Sequence, residues 1–444
     1  MLSAERNETL TRYGAGTPMG ELLRRYWLPV AITADLPRHD LRKVRLLGED
    51  LVLYRLADGT AHLLEDRCPH RGVALSYGML EARGIRCPYH GWMFDGSGRC
   101  LEQPGEPADA AFARRVRARS YPVRELGGLV FAYLGPGPAP ELPRYDLFCW
   151  DDAIRDVGHA TVPANFAQIM ENAVDLDHVA WLHGRYSQWL SGRGLPVDIP
   201  RTFSRLNDEV SFERDEYGVL MRRKLQGQAP GGDDWTVGHP LVFPNMLRVG
   251  GGGSHSFHLR VPVDDESTWL LWYTAYRPGG VPVPDPGPVT SYEVPWRTPD
   301  GEFRLDHVEG QDIMAWVTQG TVTDRTREHL GTVDRGVILL RKLFFEQAER
   351  VRRGLDPMGV YRAPAPEVIE LPQEQEKFGD GLGYVRDVLA ASQARFSTRL
   401  ADIRRRYAEV GLPLEGHPGA MAGPGLAGTV AARKRSRTGT GVAT

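Results

Sequence analysis

The stretch RCPHRGVALSYGMLEARGIRCPYHGW, residues 67–92, decides the fold of the first third of the chain. It holds two pairs of potential metal ligands, Cys68 with His70 and Cys87 with His90, separated by 16 residues. By ligand type alone, two thiolates and two imidazoles suit either a structural zinc ion or an iron–sulfur cluster. The chain has only 4 cysteines among 444 residues and therefore no disulfide framework, so metal binding explains these pairs better.

Three features of this stretch favour a [2Fe-2S] cluster over zinc. Each pair mixes Cys with His, so the two loops can present both cysteines to one iron and both histidines to the other, as a Rieske centre requires. Gly72 and Gly91-Trp92 follow the pairs, where glycine lets backbone N–H groups approach the sulfurs and the indole shields the cluster from water. The loops lie between short β-rich runs and not at the start of a zinc-finger helix. The predicted ligands of this Rieske cluster are Cys68, His70, Cys87 and His90.

Composition and charge exclude other classes of function. The 54 basic and 57 acidic residues give a net charge of -3, which provides no positive field for a nucleic acid. The first residues contain no apolar run of signal-peptide length, and no segment approaches the ~18 apolar residues of a membrane span. We therefore expect a cytoplasmic protein that has neither nucleic acid nor membrane as a partner.

Changes in the hydrophobic pattern divide the chain into four predicted segments. A helix over 163–184, strands over 200–277 and helices over 306–355 and 383–410 follow an all-β block, so the predicted fold class is α+β. The predicted boundaries are 1–40 for a helical N-terminal segment that packs on the larger domain, 41–150 for the all-β Rieske [2Fe-2S] domain, 151–412 for the larger domain, and 413–444 for a flexible tail.

A second candidate metal site lies at Asp175-x-x-His178-x-x-x-x-His183. Two histidines five apart are weak evidence, because ~0.4 such pairs are expected by chance among the 13 histidines. On a regular helix the two rings would lie ~140° apart, so one ion binds both only if the helix widens as in a π-bulge or unwinds at Gly184. Asp175 and His178, three apart, would share one helix face.

Two imidazoles and one carboxylate form the facial triad of non-haem iron(II) oxygenases, which leaves positions open for O₂ and substrate. Carboxylates further along the chain are candidates for the third ligand. The spacing alone does not choose among the candidates Asp300, Asp306, Asp312 and Asp324.

The chain resembles the Rieske non-haem iron ring-hydroxylating oxygenases, and among them the terminal oxygenase (alpha) components of the phthalate 4,5-dioxygenase subgroup. The motifs that carry the resemblance are CPHRG, CPYHGW, NETLTRYGAGTPMGELLRRYWLPV (7–30), ENAVDLDHVAWLH (171–183) and EGQDIMAWVTQGTVTDRTREHLGTVDRGVILLRKL (309–343). The resemblance implies that 151–412 is a helix-grip (START-like) catalytic domain with an antiparallel sheet and flanking helices. It also implies that Asp312 is the third ligand of a mononuclear iron(II), beside His178 and His183.

The resemblance further implies how electrons reach O₂. A separate NAD(P)H-dependent flavin/iron–sulfur reductase would take electrons from NADH and pass them singly to the Rieske cluster, and O₂ would be the co-substrate at the mononuclear iron. In the family, an aspartate at the position of Asp175 bridges a Rieske histidine of one subunit to an iron-binding histidine of the next. Asp175 is therefore expected to act in catalysis, within a head-to-tail homotrimer.

The resemblance implies hydroxylation of the ring of an aromatic substrate, and within this subgroup it points to an aromatic carboxylate. A bidentate arginine suits a carboxylate, and Arg222, Arg223 and Arg248 are candidates on predicted strands, although solvated strand arginines would look the same. The same scaffold also performs O- or N-demethylation as a monooxygenase. A Rieske electron-transfer protein without oxygenase activity is the remaining alternative.

Overall fold

The computed structural model describes residues 1–107, 112–228, 231–362 and 366–414. Two β-rich units make up the fold: a cluster unit, residues 27–133, which carries both Cys/His loops, and a large-sheet unit, residues 146–409. Among the described residues, no helix is both long and apolar enough to cross a membrane. The tail predicted over 413–444 lies outside the described residues from 415 onward.

Two short helices open the chain, α1 (Ala4–Thr11) and α2 (Pro18–Leu23). They contact the large-sheet unit, where the Tyr13 hydroxyl donates a 2.7 Å hydrogen bond to the side-chain oxygen of Asn165. The chain then enters β1 (Trp27–Ile32), a fully buried strand. The helical segment predicted up to residue 40 is thus wrong beyond α2, because strand pairing within the core satisfies this apolar run better than a helix does.

Three antiparallel sheets build the cluster unit. The first has the order β2 (Asp40–Leu46), β3 (Glu49–Arg55), β4 (Ala61–Glu65) and β9 (Ser120–Tyr121). The second, which supports the Cys/His loops, has the order β5 (Met79–Glu81), β6 (Gly84–Arg86), β7 (Met93–Phe94) and β8 (Cys100–Glu102). The third places β11 (Leu129–Tyr133) between β1 and β10 (Val123–Leu126). The predicted all-β character of this unit is confirmed.

One eight-stranded sheet forms the centre of the large-sheet unit. Its strands are, in chain order, β12 (Ile154–Val162), β13 (Asn207–Arg214), β14 (Gly218–Leu225), β15 (His239–Val242), β16 (Met246–Gly251), β17 (Ser254–Pro262), β18 (Thr268–Tyr276) and β19 (Thr290–Glu293). The spatial order is β13-β14-β15-β16-β17-β18-β12-β19. Only the β12–β19 pair of this sheet is parallel, so the predicted antiparallel sheet is confirmed apart from that edge.

Helices flank this sheet, which confirms the predicted α+β class. They are α3 (Asp146–Cys149), α4 (Phe166–Asn172), a π-helix (Val179–Tyr186), α5 (Ser187–Gly192), α6 (Asp233–Thr236), α7 (Val308–Thr318), α8 (Arg335–Arg352), α9 (Gly381–Ala391) and α10 (Leu400–Glu409). The single helix predicted over 163–184 is wrong. The segment is broken by a turn after α4, and its second part runs on through Gly184 into α5.

Candidate metal sites

Both Cys/His loops close with the same backbone pattern. The Cys68 N–H donates to the Val73 carbonyl at 2.8 Å, and the Gly72 N–H donates back to the Cys68 carbonyl at 2.8 Å. The loop at Cys87 repeats this with Trp92 and Gly91, at 2.8 and 3.1 Å. Gly72 and Gly91 both have positive φ angles, of 75° and 71°, which explains why each loop needs glycine four residues after its cysteine.

The two loops bring the four predicted cluster ligands together. Cys68 and Cys87 are each 2% exposed and their thiols are in hydrogen-bond contact, whereas His70 and His90 lie at the surface with ring centroids 4.6 Å apart. This division into a buried thiol pair and an exposed imidazole pair matches a Rieske centre, in which one iron takes two sulfurs and the other two nitrogens. The donor set therefore fits a [2Fe-2S] cluster.

Trp92 covers one side of this site. Its ring stacks on His70 with centroids 4.4 Å apart and planes 10° apart, while only 6% of the residue is exposed. Burial raises the pKa of the Cys68 thiol to about 11, and the neighbouring Cys87 thiol adds to that shift. Because thiolates are the metal-binding form, cluster binding has to displace these protons.

The π-helix holds the second predicted site. Its i→i+5 hydrogen bonds widen the turn, so the rings of His178 and His183 come to 5.3 Å between centroids instead of diverging. Of the two alternatives that the five-residue spacing left open, the structure shows the widened helix, and the unwinding at Gly184 that the glycine favoured is wrong. Gly184 serves a close approach instead, since a Cβ there would lie 2.7 Å from the Cα of Ser204.

α7 brings Asp312 against the two histidines. Its Oδ1 lies 3.3 Å from Nε2 of His183 and 3.7 Å from Nε2 of His178, and one potential ligand atom from each residue lies within 4.8 Å of the others. Asp312 Oδ1 is buried and has no hydrogen-bond partner among the described residues. An unpartnered carboxylate oxygen facing two ring nitrogens fits a bound metal ion.

A backbone carbonyl and a side chain fix which ring nitrogen of each histidine faces Asp312. Nδ1 of His178 donates to the Asp175 carbonyl at 2.5 Å, and Nδ1 of His183 donates to Oε1 of Gln311 at 3.0 Å. The positions of the Gln311 amide oxygen and nitrogen cannot be exchanged, because Nε2 donates to the Ser187 hydroxyl and to a backbone carbonyl. Both imidazoles therefore carry their proton on Nδ1 and present Nε2 as a free lone pair.

The pKa values of His178, His183 and Asp312 are shifted in different directions. Burial lowers the pKa of His178, and the neighbouring carboxylates offset this only in part. Burial also acts on His183, but the Asp312 carboxylate outweighs it and leaves the pKa of His183 raised. Burial would raise the pKa of Asp312, yet the two histidines more than compensate, so its pKa is lowered and it is a carboxylate. Asp312 and His178 keep 14% and 18% of their side chains exposed, so a small molecule can reach both.

Asp175 contacts His178 in a way that the sequence did not predict. It lies in the turn before the π-helix, not on a shared helix face, so that part of the prediction is wrong. Its carbonyl, not its carboxylate, binds the ring of His178, while Oδ2 stays 3.9 Å from Nδ1. Oδ1 accepts from the backbone N–H groups of Asp177 and His178, and 37% of the side chain is exposed.

Strand register separates the predicted substrate arginines. Arg248 lies on the sheet face turned away from the triad and pairs with Asp146 at 3.0 Å, with both side chains 2% exposed. Arg222 pairs with Glu213 at 2.8 Å on the same outer face. Neither points toward the triad, because side chains alternate between faces along a strand. Only Arg223 of the three predicted arginines lies on the inner face.

Arg260 was missed by sequence reasoning. It shares the inner face of the sheet with Arg223 and His258. The Asp312 carboxylate favours the charged forms of both Arg260 and His258. Burial lowers the pKa of Arg260 to about 10, so it is still a cation. Among the described residues, no carboxylate lies within ion-pair distance of it. Alternation in HSFHLRVPV could have indicated that Arg260 and His258 share one face.

Comparison with known proteins places both sites in context. Residues 26–122 match the Rieske [2Fe-2S] domain family, and residues 300–372 match the family described as LigXa C-terminal domain like. The first match contains all four predicted cluster ligands, and the second contains Asp312.

Proteins similar over most of the chain are oxygenase subunits. The 5,5'-dehydrodivanillate O-demethylase oxygenase subunit of Sphingobium sp. is 40% identical, over 82% of this chain and 85% of that protein. The phthalate 4,5-dioxygenase oxygenase subunit of Pseudomonas putida is 30% identical, over 82% and 90%. The structure is similar to the terminal oxygenase of carbazole 1,9a-dioxygenase from Novosphingobium sp. KA1, with a TM-score of 0.56 and 23% identity over 80% of this chain and 100% of that one.

Proposed function

The chain belongs to the Rieske non-haem iron oxygenases, and on that premise we propose that it is a terminal oxygenase component that hydroxylates the ring of an aromatic carboxylate. The convergence of His178, His183 and Asp312 carries the proposal. An electron-transfer protein with a Rieske cluster alone would have no use for this triad. The proposed cluster ligands are Cys68, His70, Cys87 and His90, and the proposed iron(II) ligands are His178, His183 and Asp312.

When bound, the cluster supplies single electrons and the iron activates O₂. The residues of the chain prepare both sites. The Asp175 carbonyl and Gln311 hold the two imidazoles with Nε2 free, and Asp312 presents an unpartnered oxygen between them. His183, Asp312 and His178 keep only 3%, 14% and 18% of their side chains exposed, which limits the access of water and favours oxidation of substrate over loss of reduced oxygen.

Arg260 and Arg223 support an aromatic carboxylate as the substrate. Both lie on the sheet face that looks toward the triad, and Arg260 is a buried cation without an ion pair among the described residues. Its Nη1 donates to the His258 carbonyl at 2.8 Å, which fixes the guanidinium at the strand. A carboxylate bound there would be held away from the triad while the ring lay closer to it.

O-demethylation is a second candidate, favoured by one specific observation. The relative named as a dehydrodivanillate O-demethylase is 40% identical to the chain, against 30% for the phthalate dioxygenase. Both reactions need the same ligands and the same electrons. The position of a methoxy group or a ring edge relative to the triad would decide between them.

A single-turnover experiment tests both candidates. The iron-loaded protein is reduced chemically, without a reductase, and is then given ¹⁸O₂ and a panel of benzoates and aryl methyl ethers. The products are analysed by mass spectrometry. Two labelled oxygens in one product indicate ring dioxygenation, and loss of a methyl group indicates demethylation. Oxidation of the cluster without any product from the whole panel would contradict the proposal.

The Arg260→Met variant tests the substrate class. It should raise KM for a benzoate about 10-fold or more, since a charge-assisted bidentate contact is lost, but leave KM for the matching neutral amide within about twofold. Arg222→Met, on the outer face of the same sheet, is the control. Equal effects on the acid and the amide would contradict carboxylate binding.

A separate electron donor and a ring of subunits complete the proposal. The relatives are named as oxygenase subunits, which supports a separate reductase that draws on NADH. His70, His90 and the Asp175 carboxylate are open to solvent and thus available to a neighbouring chain. We expect a head-to-tail homotrimer, which light scattering would test; a monomer at working concentration would contradict it.

A further inference from the structure

A buried carboxyl group lies one helical turn before Asp312 on α7. Glu309 is 3% exposed, and its Oε1 contacts the hydroxyl of Ser392 at the end of α9. The same hydroxyl lies 2.9 Å from Oε1 of Gln393. A serine hydroxyl has one hydrogen, so it can donate to only one of these two oxygens.

The orientation of the Gln393 amide is fixed independently. Its Oε1 also accepts from the backbone N–H of Ala394, and its Nε2 lies 3.4 Å from the Thr274 hydroxyl. The atom that faces Ser392 is therefore an oxygen that only accepts. Both contacts of Ser392 are hydrogen bonds only if Glu309 carries a proton and donates it to Ser392, which then donates to Gln393.

Burial also favours the protonated form of Glu309, since it raises the pKa of this carboxyl to about 7. The charged groups that act on it are Asp312 on its own helix and His183 on the π-helix, and Glu309 in turn raises the pKa values of Tyr292 on β19 and Tyr384 on α9. A carboxyl that titrates near neutral pH can both hold and release a proton under working conditions.

The large sheet contributes a second buried carboxyl group. Asp156 on β12 is fully buried, accepts from the Ser397 hydroxyl, and has its pKa raised to about 7, chiefly by burial. Strand pairing places Asp156, Tyr276 and Tyr292 on the same sheet face, since Tyr276 pairs with Ile154 and Tyr292 with Gly158, each two residues from Asp156. The pKa of Tyr292 is raised by burial and then by Asp156, Tyr276 and Glu309, so these four groups form one cluster. Each has a buried oxygen without a hydrogen-bond partner among the described residues, and bound water is the usual partner of such oxygens.

The cluster extends from the triad toward the surface. Ser397, whose hydroxyl donates to Asp156, is itself 8% exposed, so the outer end of the cluster reaches solvent. The order Ser397, Asp156, Tyr292, Glu309 is the path that a relay would take from this surface to the helix that carries Asp312.

We propose that Glu309 is a protonated acid at the inner end of a proton relay, which runs through Tyr292 and Asp156 and supplies the protons that the oxygenase reaction consumes. Ring dioxygenation adds O₂, two electrons and two protons to the arene to give a diol. Monooxygenation uses the same O₂, electrons and protons to give one hydroxylated product and one water. The proposed function, on which this inference rests, accounts for the electrons and O₂, and the relay adds a source for the protons.

Infrared spectroscopy of the metal-free protein tests the protonated state without any turnover. At about pH 6 the wild type should show the carbonyl band of a buried carboxylic acid, with a shift in D₂O. Glu309→Gln should remove one component of this band, and Asp156→Asn another. Glu302→Gln, at an exposed carboxylate, is the matched control and should remove neither. An identical spectrum for wild type and Glu309→Gln would overturn the proposal.

Single turnover tests the role of the proton. Glu309→Gln keeps the shape and a donor toward Ser392, so we expect unchanged iron content and unchanged reduction of the cluster. Product formation should slow about 100-fold, as for loss of a positioned acid, and the ratio of rates in H₂O and D₂O should rise. Asp156→Asn, which interrupts the relay further out, should act in the same direction. A merely structural role would not move the isotope ratio.

The outcomes separate this inference from the proposed function. If the wild type forms product and Glu309→Gln matches it in rate and in isotope ratio, the relay is overturned and the oxygenase stands. If the wild type itself forms no product from the panel, the oxygenase proposal fails and the relay has no role, whatever the infrared spectra contain.

Discussion

Oε1 of Gln311 lies 3.0 Å from Nδ1 of His183, on the side of the ring opposite to Asp312. This contact fixes the tautomer that frees Nε2. Gln311→Leu should therefore lower the affinity for iron(II) at the triad about 10- to 100-fold, because the ring loses both its orientation and its basicity. Competition with a chelator of known affinity measures this.

Gln319→Leu, at the exposed C-terminal end of the same helix, is the control and should bind iron as the wild type does. Gln311→Glu keeps an acceptor toward Nδ1 and should restore most of the affinity. If Gln311→Leu binds iron as tightly as the control, the contact does not orient His183.

Asp312 should be needed for one metal and not for the other. Asp312→Ala removes the unpartnered oxygen between the two imidazoles, so one iron per chain should be lost, while the two irons and two acid-labile sulfides of the cluster stay. Iron and sulfide analysis, together with the visible spectrum of the cluster, checks this. Loss of sulfide along with the iron would mean that the substitution disturbs folding.

Local features were predictable from the sequence, because their geometry depends on few residues. The two Cys/His loops need only a cysteine and a left-handed glycine four residues later, and both are visible in CPHRG and CPYHGW. The five-residue spacing of His178 and His183 predicted that a regular helix could not align the two rings, but it left open whether the helix widens or unwinds.

Features that depend on distant partners were not predictable. β1 is a strand only because it pairs with β11, which lies about 100 residues further along the chain. Gln311 contacts His183 across 128 positions of the sequence. Arg260 could be assigned to the inner face only from the register of four strands, which places it on the same face as Arg223. The predicted role of Arg248 failed for the same reason, since its partner Asp146 lies in another element.

Asp175 should matter for turnover and not for metal binding. Its carbonyl holds His178, and a substitution of the side chain leaves that carbonyl in place. Asp175→Asn should therefore keep both metals but slow multiple turnover about 100-fold, because the neutral amide no longer joins the rings of two subunits as a carboxylate would. Metal analysis and steady-state rates check this; full activity in the variant would exclude the bridge between subunits.

His307 caps α7, the helix that carries Asp312. Its Nδ1 accepts from the Gly310 N–H at 2.8 Å, and its Nε2 donates to the Pro295 carbonyl at 3.0 Å, so only the neutral ring fits. Burial lowers the pKa of His307 to about 3. Protonation would place a hydrogen on Nδ1 and remove the cap.

This cap predicts how stability depends on pH. The folded pKa of about 3 lies below the unfolded value of 6.5, so the unfolded state binds the proton first, and stability falls as the pH falls through this window. The loss from His307 should approach about 1.4 kcal/mol per pH unit below 6.5. Glu309 and Asp156, with raised pKa values, act in the opposite direction, so the difference between variants is the informative quantity. His307→Asn, which caps without titrating, should unfold in urea with a pH slope smaller by that amount; equal slopes would show that the His307 ring is protonated in the folded state.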